Sequence, residues 1–339
     1  MKITFKNPTL CQSLDKTPFV IIDVGARRGL RREWLSLKSF IRSFSFEPEP
    51  DEFSHLQSLS KTNQLIFNQG AWNKDTTHDL KQAKDPGLSS CKRPNPEFLK
   101  SFDTSTAAGF QTVKNIPIKV NTLDSMIPQD YQQIIDFIKI DIEGGSWEAL
   151  NGTTDLLSNN IIHALNLECE YNPKWKDQYL FGEVDTFLRK YHYQLYNAKN
   201  LQGKRTAGLR SGTSRTGQLV HGDFFIFDTD IFIEKITPLN EDDRLNRIFK
   251  YIITLCIFEA FDVAYEILNR CKKDSLLDEE VIHSITESLK PSKSYLTRFD
   301  NLGHRGSLLK QFIYHIGMAI IGIWLKKSHF WQLTAHISE

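Results

Sequence analysis

The sequence is poor in cysteine. Its 339 residues include only 5 cysteines, namely Cys11, Cys91, Cys169, Cys256 and Cys271. No two of them stand at the spacing of zinc ligands, and an odd, scattered set excludes a disulfide framework. Because unpaired thiols persist in reducing compartments, we expect the protein to be cytoplasmic. Residues 1–10 also lack the apolar core of a signal peptide, so we expect no export.

Neither sign of charge is in excess. The 42 Lys and Arg residues are almost matched by 41 Asp and Glu residues, which gives a formal net charge of +1. Nucleic-acid-binding domains usually concentrate positive charge. The composition therefore gives no electrostatic reason to expect a nucleic acid as the main partner.

Long apolar runs are also missing. The longest, residues 312–325, begins with Phe312, ends with Leu325 and is interrupted by His315. It is shorter than the roughly 20 residues that a membrane-spanning helix needs. Two interpretations stay open. The helix packs on the rest of the chain or on a second subunit of a homo-oligomer, or it makes peripheral contact with the inner face of a membrane. We favour burial.

The first two thirds of the chain alternate short apolar runs with amphipathic stretches. Residues 19–24 are apolar almost throughout, as expected for a strand that is covered on both faces. Further strands are predicted over residues 41–46, 65–67, 116–123, 134–140, 161–167, 193–196 and 224–227. Helices are predicted over residues 30–39, 51–59 and 181–191, and a further helix is predicted after Gly145. Leu35 is expected to be buried in the first of these helices. This alternation favours an α/β fold with a Rossmann-like, doubly wound, mainly parallel sheet.

Two regions depart from this pattern. Between about Asp75 and Asn115 it fades, and proline, glycine and serine residues predict a long loop with one short helix. Ser89 and Ser90 could touch a substrate there, but a solvated loop is the preferred interpretation. After about Pro238 only helical spacing remains. We therefore predict a first domain over residues 1–235 and a helical C-terminal domain or extension over residues 236–339.

A glycine turn ends the first predicted strand, in the segment Asp23-Val24-Gly25-Ala26-Arg27-Arg28-Gly29. Glycine lets the backbone approach a ligand without a Cβ clash. The start of the following helix offers free N–H groups and partial positive charge. A nucleotide site and an ordinary strand-to-helix turn explain this segment about equally well.

Two further strand ends fit a nucleoside. Glu47 ends the second predicted strand, where a carboxylate can accept hydrogen bonds from both ribose hydroxyls. Gly70 and Ala71 follow the third strand and would let adenine lie against backbone, with Trp72 closing one side. The alternative for Trp72 is a core residue at a strand end.

The same architecture could bind NAD. A dinucleotide fingerprint reads G-x-G-x-x-G. Arg27 stands two positions after Gly25, where that fingerprint has its second glycine. This departure disfavours a nicotinamide-dependent oxidoreductase.

The most specific segment is Phe137-Ile138-Lys139-Ile140-Asp141-Ile142-Glu143-Gly144-Gly145. Asp141 and Glu143 follow a central strand, where open α/β sheets bind their ligands. Being two residues apart on extended chain, they are expected to point the same way. Glu168 ends the next strand and is a further candidate, although a strand-end cap or an ion pair explains it about as well.

These motifs, in this order, resemble the FkbM-type family of methyltransferases that depend on S-adenosylmethionine (SAM). The further matches are Thr122-Leu123-Asp124, Leu150-Asn151-Gly152 and Asn166-Leu167-Glu168. The resemblance covers about residues 19–228. The family commonly has Asn at the position of Arg27 and an acid at that of Ser146.

The resemblance implies a class I methyltransferase fold, in which an antiparallel last strand is normal. It also implies SAM as the cofactor, with Asp23 near the methionine amino group. The implied cofactor-binding residues are Asp23, Gly25, Ala26, Gly29, Glu47, Pro48, Gly70, Ala71, Trp72 and Asp141.

The resemblance further implies O-methylation, often of sugars, so the expected partner is a glycan or glycosylated acceptor. Positioning supplies much of the rate, and a base must take the hydroxyl proton. Asp141, Glu143 and Glu168 are the catalytic candidates. A divalent metal could assist, but no residue pattern supports one. The alternative is a SAM- or nucleotide-binding module without turnover, whose helical region recruits partners.

Overall fold

The structure is a computed structural model that describes most of the chain. The described residues are 14, 16–60, 63–102, 104–132, 135–159, 162–203, 205–206 and 217–289. The run predicted to be a helix over residues 312–325 lies outside them. Contacts divide the chain into two units, residues 1–279 and residues 280–339. Within the described part, no helix combines the length and the apolar character that crossing a membrane requires.

The described part of the chain contains ten strands. They are β1 Phe19–Val24, β2 Ile41–Phe46, β3 Gln64–Phe67, β4 Gly70–Ala71, β5 Thr76–Ala83, β6 Thr112–Asn121, β7 Phe137–Ile140, β8 Ala164–Glu170, β9 Gln194–Gly203 and β10 Gln218–Phe227.

The helices fall between these strands and after them. They are α1 Pro50–Leu59, α2 Pro96–Leu99, α3 Thr104–Gly109, α4 Leu123–Met126, α5 Ser146–Asn151, α6 Thr154–Asn159, α7 Phe181–Arg189, α8 Asp230–Ile236, α9 Glu241–Ile257, α10 Phe261–Lys273 and α11 Glu279–Leu289. Three 3₁₀ segments are Arg32–Phe40, Pro86–Leu88 and Gln129–Tyr131.

A seven-stranded sheet forms the centre of the first unit, in the order β3-β2-β1-β7-β8-β10-β9. Strands β1, β2, β3, β7 and β8 pair in parallel, whereas β10 is antiparallel to both β8 and β9. This topology confirms the predicted Rossmann-like, doubly wound, mainly parallel sheet with an antiparallel last strand. The strand order reverses beside β1, and a crevice at such a switch point is where open α/β sheets bind ligands.

Strand β1 is the buried axis of this sheet. All six of its residues are buried, because β2 pairs on one side and β7 on the other. Val20, Ile22 and Val24 pack in the main apolar cluster with residues of β2, β7 and β8. The continuous apolar run that predicted a doubly covered strand is therefore explained by burial on both faces.

A second sheet occupies much of the segment that was predicted to be a long loop. Its order is β4-β6-β5, with β5 antiparallel to β6. The loop prediction was wrong here, and β6 belongs to this small sheet rather than to the central one. Only Leu80 and Ala83 of the eight β5 residues are buried. With so few buried apolar side chains, the alternation that marks a strand was too weak to recognise.

Some boundaries also differ from the predictions. The helix predicted over residues 30–39 is a 3₁₀ segment, and Leu35, expected to be buried, is 50% exposed. The helix predicted after Gly145 is divided into α5 and α6 around Gly152. A Cβ at Gly152 would lie 2.0 Å from the carbonyl oxygen of Trp72, so the chain needs glycine at this close approach.

Helix α9 is tied to the central sheet by a buried ionic cluster. Asp136, just before β7, accepts hydrogen bonds from Arg247 Nη1 at 2.8 Å, Lys250 Nζ at 2.9 Å and the Val20 N–H at 2.8 Å. Burial alone would raise the pKa of Asp136, but Lys250 and Arg247 outweigh it and lower the pKa. The predicted helical character of the region after Pro238 is confirmed up to Leu289. The boundary at residues 235/236 stays a prediction.

The first testable prediction concerns this cluster. Replacing Lys250 with Met removes one cation from a fully buried carboxylate. Because breaking a buried ion pair leaves a charge without its partner, we expect the free energy of unfolding to fall by about 3–5 kcal/mol. Urea unfolding followed by circular dichroism measures this loss. The control is Lys273→Met at an exposed position of α10, and equal losses in the two variants would contradict the prediction.

Candidate active site

An open cavity of about 400 Å³ lies at the carboxyl ends of β1, β2 and β7. Its volume falls in the range of roughly 300–1,000 Å³ that is typical of small-molecule sites. Eight of the predicted site residues line it, namely Gly25, Glu47, Pro48, Gly70, Ala71, Trp72, Asp141 and Glu143. The other predicted residues, Asp23, Ala26, Gly29 and Glu168, are not among the lining residues.

The glycine turn after β1 forms one wall of the cleft. Gly25 has a φ of +75°, and a Cβ there would lie 2.0 Å from the carbonyl oxygen of Asp141. Its N–H donates to the Phe46 carbonyl oxygen at 3.0 Å. Glycine is therefore required both by the left-handed backbone and by the close approach of the β7 end. The turn joins the ends of β1, β2 and β7 at one point.

Asp23 lies beneath this turn rather than in the cleft. It is 2% exposed, and its Oδ1 is 3.0 Å from Lys139 Nζ. The same ammonium donates to the Gly25 carbonyl oxygen at 2.6 Å and lies 3.6 Å from Asp141 Oδ2. Burial raises the pKa of Asp23 even though Lys139 opposes it. Lys139 thus fixes the turn, and Asp23 contributes as its buried counter-ion.

Glu47 lines the cleft at the carboxyl end of β2. It is 5% exposed, and one of its oxygens, Oε1, accepts the Glu49 N–H at 3.0 Å. Burial raises the pKa of Glu47 to about 7. The ionised carboxylate is the stronger acceptor for ribose hydroxyls. The fraction of Glu47 that is ionised therefore changes around neutral pH.

Asp141 and Glu143, which follow β7, differ from each other and from Glu168 in pKa. Burial would raise the pKa of Asp141, but a hydrogen bond from Glu168 and the charge of Lys139 lower it to about 2. Burial and the neighbouring charge of Glu143 raise the pKa of Glu168 well above its usual value. Burial raises the pKa of Glu143 to about 7. The cleft thus offers an ionised acceptor and a carboxylate that titrates near neutrality.

Lys174 was not predicted as a site residue from the sequence, yet its ammonium group lies between three glutamates. Its Nζ contacts Glu143, Glu168 and Glu170. Those three glutamates have oxygens within 4.8 Å of one another, so their spacing alone would also suit a metal ion. Only the arrangement Glu168-Cys169-Glu170 followed by a lysine four residues later hinted at this pairing.

A short loop covers the cleft from the side of the second sheet. The 3₁₀ segment Pro86–Leu88 and Ser89, Ser90 and Cys91 line the cavity. Ser90 is 1% exposed, and its Oγ donates to the Glu143 carbonyl oxygen at 2.6 Å. The interpretation of this stretch as a solvated loop was wrong for Ser90. Its hydroxyl braces the left-handed backbone of Glu143, whose φ is 50°.

The doubly wound sheet, with a nucleoside-sized cleft at its switch point, is the architecture of a class I methyltransferase, an enzyme that uses SAM. The profile of the family described as "Methyltransferase FkbM domain" matches residues 23–195. Because this match spans just over half of the chain, the protein belongs to the FkbM methyltransferase family.

Several solved methyltransferases match this chain at low similarity. One is a magnesium protoporphyrin IX methyltransferase from Synechocystis PCC 6803 with bound SAM, which is 9% identical, with a TM-score of 0.31 and coverage of 65% of this chain and 76% of its own. Another is a 1,6-didemethyltoxoflavin-N1-methyltransferase from Burkholderia thailandensis, which is 11% identical, with a TM-score of 0.30 and coverage of 66% and 80%. A 16S rRNA (adenine(1408)-N(1))-methyltransferase variant from Catenulisporales acidiphilia is 9% identical, with a TM-score of 0.30 and coverage of 67% and 94%.

Similarities of this size do not indicate which acceptor this protein uses. No curated protein matches this chain significantly. The residues of the site itself are therefore the basis for inferring the acceptor.

The second prediction tests Glu47. Hydrogen bonds to a charged group contribute about 1.5–3 kcal/mol, so Glu47→Gln should weaken S-adenosylhomocysteine binding by about 10- to 100-fold. Because the pKa of Glu47 is about 7, wild-type affinity should rise between pH 6 and pH 8 as the carboxylate ionises, whereas the variant should show a flatter dependence. Calorimetric titration measures both effects, with Glu266→Gln at an exposed position of α10 as the control. An unchanged affinity in Glu47→Gln would remove Glu47 from the nucleoside site.

Proposed function

We propose that this protein transfers the methyl group of SAM to a hydroxyl of a glycan or glycosylated acceptor. One observation carries the proposal. Asp141 and Glu143, two carboxylates of different protonation, line the same cleft as Glu47 and the glycine turn. This arrangement supports a base beside the proposed nucleoside site. A hydroxyl acceptor needs such a base, because it is weakly acidic and must lose its proton during or after attack.

The lining residues fit the cofactor. The backbone of the Gly25 turn can approach a ligand closely, and Glu47 can accept ribose hydroxyls. Gly70 and Ala71 lie where adenine could rest against backbone, with Trp72 beside them. When bound, SAM supplies a methyl group that is already activated on a sulfonium. The residues of the chain then have to orient the two reactants and exclude competing nucleophiles.

Asp141 is the residue best placed to take the proton. Its side chain is 37% exposed, the most accessible of the acids that surround Lys139 and Lys174. It is ionised at neutral pH because Glu168 and Lys139 stabilise its charge. Glu143 lies at the same rim and titrates near pH 7, so it is the second candidate base. The hydrogen bond between Glu168 and Asp141 lowers the pKa of Asp141, while burial raises that of Glu168.

Composition and the polarity of the cleft support the proposed location and the proposed class of acceptor. The cytoplasm is the proposed location, because the chain is cysteine-poor and its four described cysteines are unpaired. A polar acceptor such as a glycan suits a cleft whose rim carries the carboxylates of Asp141 and Glu143. The balanced net charge of +1 does not favour a nucleic acid.

The third prediction concerns the base. Asp141→Asn keeps the size of the side chain but removes its proton-accepting charge. We expect methyl transfer to fall by at least about 100-fold, in line with the contribution of general bases. The measurement is transfer of labelled methyl from SAM to glycan extracts, with mass spectrometry of the acid hydrolysate to detect O-methyl sugars. The control is Asp130→Asn at an exposed position.

Three outcomes separate the hypotheses. O-methyl sugars formed by the wild type and lost in Asp141→Asn support the proposal. Wild-type turnover by Asp141→Asn excludes Asp141 as the base. Binding of S-adenosylhomocysteine without transfer to any glycan fraction favours a binding module without turnover.

A further inference from the structure

Three carboxylates meet at the carboxyl end of the sheet with one ammonium group between them. Lys174 Nζ lies 2.8 Å from Glu143 Oε2, 3.3 Å from Glu168 Oε1 and 3.3 Å from Glu170 Oε1. Oxygens of these carboxylates lie within 4.8 Å of one another. Two metal–oxygen bonds of about 2.3–2.6 Å, as in calcium sites, span that distance. The ammonium therefore stands where this set of acids would otherwise hold a divalent ion.

The backbone around Lys174 is fixed by a neighbouring segment. The Asn95 N–H donates to the Lys174 carbonyl oxygen at 3.0 Å, and the Lys176 N–H donates to the Arg93 carbonyl oxygen at 2.8 Å. Trp175 packs so tightly over Gly144 that a Cβ there would lie 2.3 Å from Trp175 Cδ1. Since this loop is held on both sides, the ammonium is kept among the acids.

The surroundings of the ammonium favour a cation. The rings of Phe110 and Trp175 have their centroids 5.9 Å and 5.8 Å from Lys174 Nζ, within the range of cation–π attraction. His221 Nδ1 lies 3.4 Å from the same atom. Burial and the charge of Lys174 lower the pKa of His221 to about 4, so its ring is neutral and adds no second cation. In the part of the chain that the structure describes, no other Lys or Arg forms an ion pair with these three glutamates.

We propose that Lys174 is the resident cation of this carboxylate cluster, that it occupies the place of a divalent metal ion, and that methyl transfer is metal-independent as a result. The metal independence of methyl transfer rests on the proposed function, whereas the position of Lys174 in place of a metal ion does not. A metal ion and the ammonium cannot share this space, and their charges repel. By bonding Glu143, Lys174 directs that carboxylate to the cleft rim, so it acts as a positioning residue.

The test removes the ammonium and asks whether a metal ion takes its place. MnCl₂ is titrated into the wild type and Lys174→Ala by calorimetry, because oxygen ligands suit Mn²⁺. We expect no binding by the wild type up to about 1 mM and one site in the variant with a Kd below about 0.1 mM, within the range of carboxylate sites. The matched control is Lys92→Ala. Lys92 pairs with a single carboxylate, Glu148, so its removal should create no Mn²⁺ site.

Three results would overturn the proposal. They are Mn²⁺ binding by the wild type at a similar Kd, loss of wild-type methyl transfer after treatment with EDTA, and a folded Lys174→Ala protein that binds no Mn²⁺. If Lys174→Ala does not fold, the same MnCl₂ titration of Lys174→Gln and of the wild type tests the proposal. The titrations need no acceptor. A failure of glycan methylation would therefore leave their result unchanged, which keeps the two proposals distinguishable.

Discussion

Two buried ammonium groups hold together the acidic edge of the central sheet. This edge consists of five carboxyl groups, Asp23, Asp141, Glu143, Glu168 and Glu170. Lys139 balances the two aspartates, and Lys174 balances the three glutamates. Loss of one partner from a buried pair typically costs about 3–5 kcal/mol, so the shape of the cleft depends on both lysines.

The same two lysines set the chemistry of the acidic edge. Neighbouring carboxyl groups repel when both are ionised, and burial further disfavours their charges. The lysines and the hydrogen bond between Asp141 and Glu168 shift the pKa values of these acids in different directions. The pKa of Asp141 is lowered to about 2, that of Glu143 is raised to about 7, and burial raises that of Glu168 well above its usual value. A sheet edge with several acids can therefore present both a permanently ionised carboxylate and one that titrates near neutrality.

The central fold was predictable because its strands have two buried faces. Residues 19–24 form an apolar run between Pro18 and Gly25, and residues 41–46 place Ile41, Phe44 and Phe46 before the Pro48-Glu49-Pro50 turn signal. The predicted bounds of both segments agree with β1 and β2. The second sheet was not predictable in this way. Most of β5 is exposed or partly exposed, and its contribution to the core is Leu80 and Ala83. Its strands are defined by pairing with each other, which no local pattern in the sequence reports.

For the candidate site, motifs located the strand ends but not their ion-pair partners. Glu47, Asp141 and Glu143 were recognisable because each follows an apolar strand. Lys139 alternates with isoleucines inside a strand, and Lys174 stands in a loop without a motif. Their roles depend on how β1, β7 and β8 are placed side by side. This is long-range information that spacing along the chain does not contain.

The ionic cluster around Asp136 limits where the chain can be divided. Asp136 enters the sheet at the amino end of β7, away from the cleft, and both of its cations come from α9. A fragment that stops at residue 235 would have to place this carboxylate in the apolar interior with neither Arg247 nor Lys250 beside it. The central sheet and the first helices that follow it are thus energetically coupled, and recombinant fragments or domain swaps should keep them together.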